Sequence, residues 1–348
     1  MNTKFLYSLG RPFSPLYSAL MRGREYCYQK GVFRSTSFAV PVISVGNLTM
    51  GGTGKTPMVK YIAKLLQKKG YTPAIISRGY GGATKERINI VSDGHKLFLD
   101  AHTVGDEPRM LAESLPGVLV LTGVVRHLPA ARAVEMGADV LILDDGFQHL
   151  AIARDLDLVL FNADMLAGNS RVFPGGDLRE PVQALNRCHG FILTSVNTSN
   201  GERARKFADL LQLKFPAKPV FTNGSQVTGI TKLQADGHKK YFGIELLAQH
   251  QCYGFCGIAR PEGFRKSLEA LPTDIVGFHA LPDHHGYRDR EVKKIIVGAQ
   301  TKQATCLLCT EKDLVKLAGF TFPLPLYALC MEIKADPALE QFIYDRLP

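Results

Sequence analysis

The segment GNLTMGGTGKTP, residues 46–57, stands between an apolar run, VPVISV, and an amphipathic one, KTPMVKYIAKLLQKKG. A glycine-rich turn that joins a buried strand to a helix restricts the fold, because its backbone N–H groups and the helix N-terminus form a nest for phosphate oxygens. Lys55 supplies a cation able to follow a transferring phosphoryl group, and the Thr56 hydroxyl is placed to ligate Mg²⁺. The general pattern G-x-x-x-x-G-K-[ST] asks for glycine at position 49, where this chain has Thr49. Gly51 and Gly52 are expected to make the tight turn instead. The candidate nucleotide-binding residues are therefore Thr49, Met50, Gly51, Gly52, Thr53, Gly54, Lys55 and Thr56. A purely structural glycine turn with an incidental Lys-Thr is the alternative, and the flanking strand and helix argue against it.

From about Val40 the chain repeats one pattern of apolar run, turn and amphipathic stretch. VPVISVGN, TPAIISRG, INIVSDG, VLVLTG, ADVLILDDG, LDLVLFNA, HGFILTSV and KPVFTNG read as strands, and KTPMVKYIAKLLQKKG, DEPRMLAESLPG and RHLPAARAVEMG as helices. Short, doubly apolar strands alternating with helices predict a three-layer α/β/α domain around a parallel sheet, here over residues 36–224. The pattern falters at 225–245, which reads as an extended linker or hinge. It resumes over 246–348 (QCYGFCGIA, PEGFRKSLEALP, TDIVGFHA, REVKKIIVGAQT, ATCLLCT, EKDLVKLAG, PLYALCMEI, PALEQFIYDRL) as a smaller C-terminal α/β domain.

Residues 1–35 mix Phe5, Leu6, Phe13, Leu16, Tyr17, Leu20 and Tyr26 with Lys4, Arg11, Arg22, Arg24 and Lys30. Such a segment suits either a bilayer interface or packing on its own domain. No apolar run reaches the length of a membrane span. The net charge of +10 favours anionic partners, yet no dense basic tract marks a nucleic-acid arm. The seven cysteines read as reduced, buried thiols: on a strand Cys306 and Cys309 would face opposite sides and could not share a metal.

A phosphate loop also requires a carboxylate at the end of a neighbouring strand to hold the metal or its water. ADVLILDDG delivers Asp144 and Asp145 there. Transfer to a hydroxyl further requires a base. Asp106 and Glu107 of GDEP open a helix and can cap it or serve as that base; the residues alone leave both open. PDHHGY offers Asp283, His284 and His285, which can pair with a carboxylate across a cleft or simply form a surface turn. Arg78, Arg126, Arg171 and Arg179 lie at loop positions suited to anionic oxygens or to surface ion pairs.

GNLTMGGTGKTP, SRGYGG, GDEP, DDGFQH, LREP, GIARPEGF, DHH and TEKD occur in the order found in the tetraacyldisaccharide 4'-kinases of lipid A biosynthesis, and the chain resembles that family almost end to end. Thr at position 49 is ordinary there. The resemblance implies transfer of the ATP γ-phosphate, with Mg²⁺, to the 4'-hydroxyl of a tetraacylated glucosamine disaccharide 1-phosphate, giving lipid IVA. It implies two α/β/α domains joined by a strand linker, and an N-terminal amphipathic helix at the membrane. The expected location is peripheral, on the cytoplasmic face of the bacterial inner membrane, with neither nucleic acid nor a protein partner. Carried over by position, Lys55 and Thr56 serve phosphate and Mg²⁺, Asp144 and Asp145 the metal, and Asp106 the acceptor hydroxyl. His284 is preferred to His285 as the partner of Asp106. Gln148 would orient metal or substrate, and Arg78, Arg126 and Arg179 would hold phosphates.

The rival reading is a P-loop switch or metal-insertion NTPase that hydrolyses nucleotide without a lipid acceptor. Those proteins carry a Lys early in the loop, where this chain has Met50, and a guanine-reading NKxD is missing.

Overall fold

The computed structural model describes residues 3–84, 86–233, 239–283, 285–317 and 319–347. Helices α1 (Thr3–Gly10) and α2 (Ser14–Gln29) precede the first sheet. That sheet is then built from β1 (Val42–Asn47), α3 (Lys55–Lys68), β2 (Pro73–Ser77), β3 (Asn89–Asp93), α4 (Ala101–Val104), α5 (Asp106–Ser114), β4 (Leu119–Thr122), α6 (His127–Glu135), β5 (Val140–Asp144), β6 (Leu156–Asn162), β7 (Gly190–Thr194), α7 (Gly201–Lys214) and β8 (Val220–Thr222). The strand order is β3-β4-β2-β5-β1-β6-β7-β8.

Alternate residues of the central strands enter different cores. Ile43, Val45 and Ile142 pack with Met58, Ile62 and Leu66 of α3, whereas Val42, Leu141 and Leu143 pack with Ala130 and Ala133 of α6. Helices thus cover both faces, as doubly apolar strands require. One strand departs from the expected parallel order: β3 runs antiparallel to β4. The described residues of 78–88 contain no helix, so the chain turns over the carboxyl edge of the sheet and enters β3 from that side.

The second sheet follows almost without a break, through β9 (Gly224–Leu233), β10 (Lys239–Phe242), β11 (Gln251–Cys256), α8 (Pro261–Glu269), β12 (Asp274–Ala280), α9 (Asp289–Thr301), β13 (Cys306–Thr310), α10 (Glu311–Lys316), β14 (Leu326–Lys334) and α11 (Pro337–Tyr344). Its order is β10-β9-β14-β13-β11-β12, parallel except that β9 is antiparallel to both neighbours. Asn223, buried at the crossing, donates its N–H to Leu193 and accepts at its side-chain oxygen from the Asp336 N–H at the return crossing. Beyond that return, Leu339 and Ile343 of α11 join the core of the first sheet.

The N-terminal pair of helices inverts the usual amphipathic arrangement. Tyr7 donates to Asp177, Ser14 to the Val172 carbonyl, Tyr17 to the Arg179 carbonyl and Arg24 to the Gln148 carbonyl. Leu9, Phe13, Leu16 and Leu20 stay about 60% exposed on the other side. Among the described residues no helix is long and apolar enough to cross a membrane.

Candidate active site

The phosphate loop leaves β1 at Asn47, whose side-chain N–H₂ holds the Thr49 carbonyl at 2.6 Å. Gly51 and Gly54 take φ values of +107° and +80°, which a side chain would strain, and Gly54 sits directly before α3. The turn is braced from outside: Met50 N–H donates to Asp177, Arg179 N–H donates to Leu48, and Thr194 at the end of β7 donates its hydroxyl to the Thr53 carbonyl. Because residues 172–179 also carry the contacts to α1 and α2, the N-terminal helices are mechanically joined to the phosphate loop. Their position bears on the site as well as on any surface they meet.

Asp144 and Asp145 end β5, next to β1. Asp144 is buried and accepts from the Ser77 hydroxyl at 3.3 Å. Burial, with help from Glu107 and Asp145, pushes its carboxyl up to about 6, against the pull of Lys55 and Arg126. Asp145 goes the other way. Burial would raise it, but Lys55 at 3.5 Å, Arg179 at 2.8 Å and buried Arg126 outweigh that and hold it below the ordinary carboxylate range. Lys55 also donates to the Asn47 side-chain oxygen at 3.2 Å. Arg126 donates to the Asp145 carbonyl and Arg179 to the Gln148 side-chain oxygen, while Gln148 donates to the Asn47 carbonyl. Three of the residues singled out from sequence, Arg126, Gln148 and Arg179, thus knit the Asp144–Asp145 turn to the phosphate loop.

Asp106 is the first residue of α5 and buried. One carboxylate oxygen accepts the Glu107 N–H at 3.2 Å, a helix-end bond. The other faces the second sheet, with the Lys316 ammonium at 3.3 Å and that of Lys312 at 3.7 Å. Lys312 also pairs with Glu107 at 3.2 Å and Asp283 at 3.5 Å. Burial alone would lower the Lys312 pKa, yet Glu107, Asp106 and Asp283 outweigh it and raise it. Lys316 further donates to the His285 carbonyl. The PDHHGY turn therefore meets GDEP across the gap between the two sheets. His284 lies outside the described residues, but its neighbours on both sides are held by the lysines that hold Asp106.

Arg78 is exposed and lines a cavity of about 260 Å³ with Tyr80, Glu86, Asn89, Thr122 and Val124, beyond the carboxyl ends of β2 and β4. Gly105 lets GDEP approach this loop, since a Cβ there would stand 2.5 Å from the Tyr80 carbonyl. Arg171 makes no side-chain contact with the site among the described residues; its backbone N–H donates to the Asn169 side-chain oxygen.

Sequence reasoning singled out neither Lys312 nor Lys316 as site residues. The available signal was TEKD itself: Thr310 caps α10 by accepting the Asp313 N–H, which fixes where Lys312 emerges.

Asp144, Asp145 and the Thr56 hydroxyl offer the hard oxygen donors that suit Mg²⁺, and a buried Asp144 with a raised pKa fits a place where a cation is to be accepted. Binding would require Asp144 ionised, so it should release about half a proton near pH 6 and almost none at pH 8. Calorimetry of Mg²⁺–ATP binding in buffers of differing ionisation enthalpy measures this. For the metal-free protein the same shift gives a stability contribution present below the ordinary Asp pKa and lost as pH rises through about 6. Equal proton release at both pH values would remove Asp144 from the metal site.

The profile described as tetraacyldisaccharide-1-P 4'-kinase (LpxK) matches residues 6–348. A tetraacyldisaccharide 4'-kinase of Desulfotalea psychrophila is 47% identical over 327 residues, covering 93% of this chain and 91% of that protein. The one of Syntrophus aciditrophicus is 42% identical over 333 residues, covering 93% and 88%. A crystal structure of LpxK from Aquifex aeolicus in complex with ATP superposes with a TM-score of 0.78 at 31% identity, covering 99% of this chain and 100% of that one.

Proposed function

The chain belongs to the tetraacyldisaccharide 4'-kinase family, and on that premise we propose how its own residues carry out the reaction. The enzyme transfers the γ-phosphate of ATP to the 4'-hydroxyl of a tetraacylated glucosamine disaccharide 1-phosphate, forming lipid IVA. The observation that carries the assignment of roles is the convergence of three groups at one sheet edge: the phosphate loop, the Asp144–Asp145 turn, and Asp106 facing two lysines of the second sheet.

Backbone N–H groups of residues 51–56 cradle the β- and γ-phosphates, and Lys55 follows the moving phosphoryl group. Thr56, Asp144 and Asp145 would hold Mg²⁺, which when bound neutralises charge on the phosphate oxygens. Asp106 accepts the proton of the sugar hydroxyl as its oxygen attacks the γ-phosphorus; the bond from that phosphorus to the β–γ bridging oxygen breaks, and ADP departs. Lys312 and Lys316 keep the Asp106 carboxylate turned toward the gap. His284 belongs to the same turn and is the candidate partner of Asp106. The cavity beside Arg78 is the candidate seat of the acceptor sugar, with Arg78 for its 1-phosphate.

Bringing Asp106, His284 and ATP together excludes water, which favours transfer over hydrolysis. Because β9 and β10 are built into the second sheet, closure would bend the chain at the crossings near Asn223 and Asp336 and not within 225–245. Unchanged small-angle scattering on adding ATP and acceptor together would count against it.

A peripheral seat on the cytoplasmic face of the inner membrane is supported by the exposed Leu9, Phe13, Leu16 and Leu20, which continue into the polar brace under the phosphate loop. Replacing Phe13 and Leu16 together by Glu should weaken sedimentation with anionic lipid vesicles more than tenfold, given roughly 1.5–3 kcal/mol for burying each side chain. Melting temperature should not move, since both are exposed. Undiminished vesicle binding would refute the membrane contact.

The deciding assay follows labelled phosphate from ATP with and without disaccharide 1-phosphate in detergent. Label entering lipid is the expected result; label released only as free phosphate would favour a switch.

A further inference from the structure

The segment GIARPE, residues 257–262, leaves β11, starts α8 and reaches the phosphate loop. The Ala259 methyl stands 3.6 Å from where a Cβ on Gly52 would lie, an ordinary van der Waals contact. The next residue, Arg260, is therefore presented at the flank of the turn that holds the phosphates.

Its surroundings are undersupplied with negative charge. Lys55 and Arg179 are each held by Asp145 at 3.5 Å or less, and Arg126 by the Asp145 carbonyl. Arg260 has one ion pair, to Asp164 beyond the end of β6, at 3.9 Å, and Asp164 is itself half-exposed and bonded to Asn200. Among the described residues the Arg260 guanidinium makes no hydrogen bond. It is nonetheless half-buried, and burial lowers its pKa with only Asp164 opposing. It also occupies the N-cap of α8, where the helix dipole adds positive charge. A guanidinium left so weakly compensated beside a phosphate loop is suited to phosphate oxygens, which it can meet with two parallel N–H bonds.

We propose that Arg260 is a phosphate-contacting residue for ATP, supplied to the first domain's nucleotide by the second domain. Asp164 is its ion-pair partner, and ATP would draw it from Asp164 to the polyphosphate. This rests on the kinase reading above and adds to it a direct dependence of nucleotide handling on the second domain, since withdrawal of that domain would withdraw the cation. The contact strengthens as charge moves onto the leaving ADP, so it acts on kcat as well as on KM for ATP.

The test compares the full chain with Arg260→Ala, Arg260→Gln, Arg260→Lys and Asp164→Asn, by steady-state transfer to the glycolipid, calorimetry with Mg²⁺–ATP, and melting temperature. Arg260→Ala and Arg260→Gln should each lower kcat/KM for ATP about 10- to 100-fold, the scale of a lost charge-assisted contact, without a fall in melting temperature. Arg260→Lys should restore part of the loss, and free guanidinium ion should partly rescue Arg260→Ala. Asp164→Asn should keep or improve ATP affinity, because it removes the competing anion. Either kcat/KM within twofold of the parent for both neutral variants, or an Asp164→Asn loss equal to that of Arg260→Ala, would overturn the proposal; the latter would mean a brace between domains. The kinase reading fails separately, if the unaltered chain moves no label into glycolipid.

Discussion

Asp106→Ala is expected to lower phosphoryl transfer to the glycolipid about a hundred- to ten-thousand-fold, the range for loss of a positioned base, while Mg²⁺–ATP binding stays near that of the parent. The separation follows from placement. Asp106 lies on α5 and touches Glu107, Lys312 and Lys316, whereas Lys55 and the Asp144–Asp145 turn make their own contacts with Asn47, Ser77, Arg126 and Arg179. Removing the carboxylate leaves Lys312 with Glu107 and Asp283 and Lys316 with Asp313, so the lysines are not stranded and folding should survive. Asp106→Asn gives a stricter comparison, because an amide oxygen can still accept the Glu107 N–H and preserve the helix end. If Asp106 only capped α5, Asp106→Asn would keep nearly full transfer. Retention of more than about a tenth of the parent rate by both variants would end its role as base. A loss of Mg²⁺–ATP binding in step with transfer would show that it acts through the nucleotide site instead.

The fold was readable because its strands are doubly apolar: Val42 to Val45 and Val140 to Leu143 feed two cores at once, and only a sheet covered on both faces permits that. Less legible was strand direction. The antiparallel β3 depends on a loop at 78–88 that crosses one edge, and periodicity carries no record of which edge a loop crosses. Helix α7, over Gly201–Lys214, has only two buried residues and so a weak apolar stripe. The site divides in the same manner. Lys55, Thr56, Asp144 and Asp145 announce themselves by sitting at junctions between strand and turn. Lys312 and Lys316 are ordinary helix lysines until α10 is placed against α5, and that juxtaposition spans about two hundred residues of chain. Arg179 reads from sequence as a phosphate-holding arginine. In the structure it holds Asp145, a pairing set by the brace between residues 172–179 and the phosphate loop.

Lys55→Ala should have the other large effect, and of a different kind: transfer falls at least about a thousand-fold and the pH dependence of metal–nucleotide binding moves. Lys55 serves two charges. Toward the nucleotide it is the cation that travels with the γ-phosphate, and Arg at this position should not replace it, since a planar fork cannot follow a moving point of charge as a flexible ammonium does. Toward the protein it is the first of the two cations that oppose the rise of the Asp144 pKa, ahead of Arg126. Its removal should therefore let Asp144 climb beyond about 6, so that more of it is protonated at neutral pH and proton release on Mg²⁺–ATP binding persists at pH values where the parent shows none. Asp145 keeps Arg179 at 2.8 Å and the Arg126 contact at its carbonyl, so the turn should stay folded and melting temperature should change little. Calorimetry across pH 5.5–8 separates the two effects, because a lysine that merely propped up the loop would lower affinity equally at every pH. A variant that retained more than about a tenth of the parent's transfer would show that the γ-phosphate does not travel with this ammonium, and the phosphate loop would lose its part in catalysis.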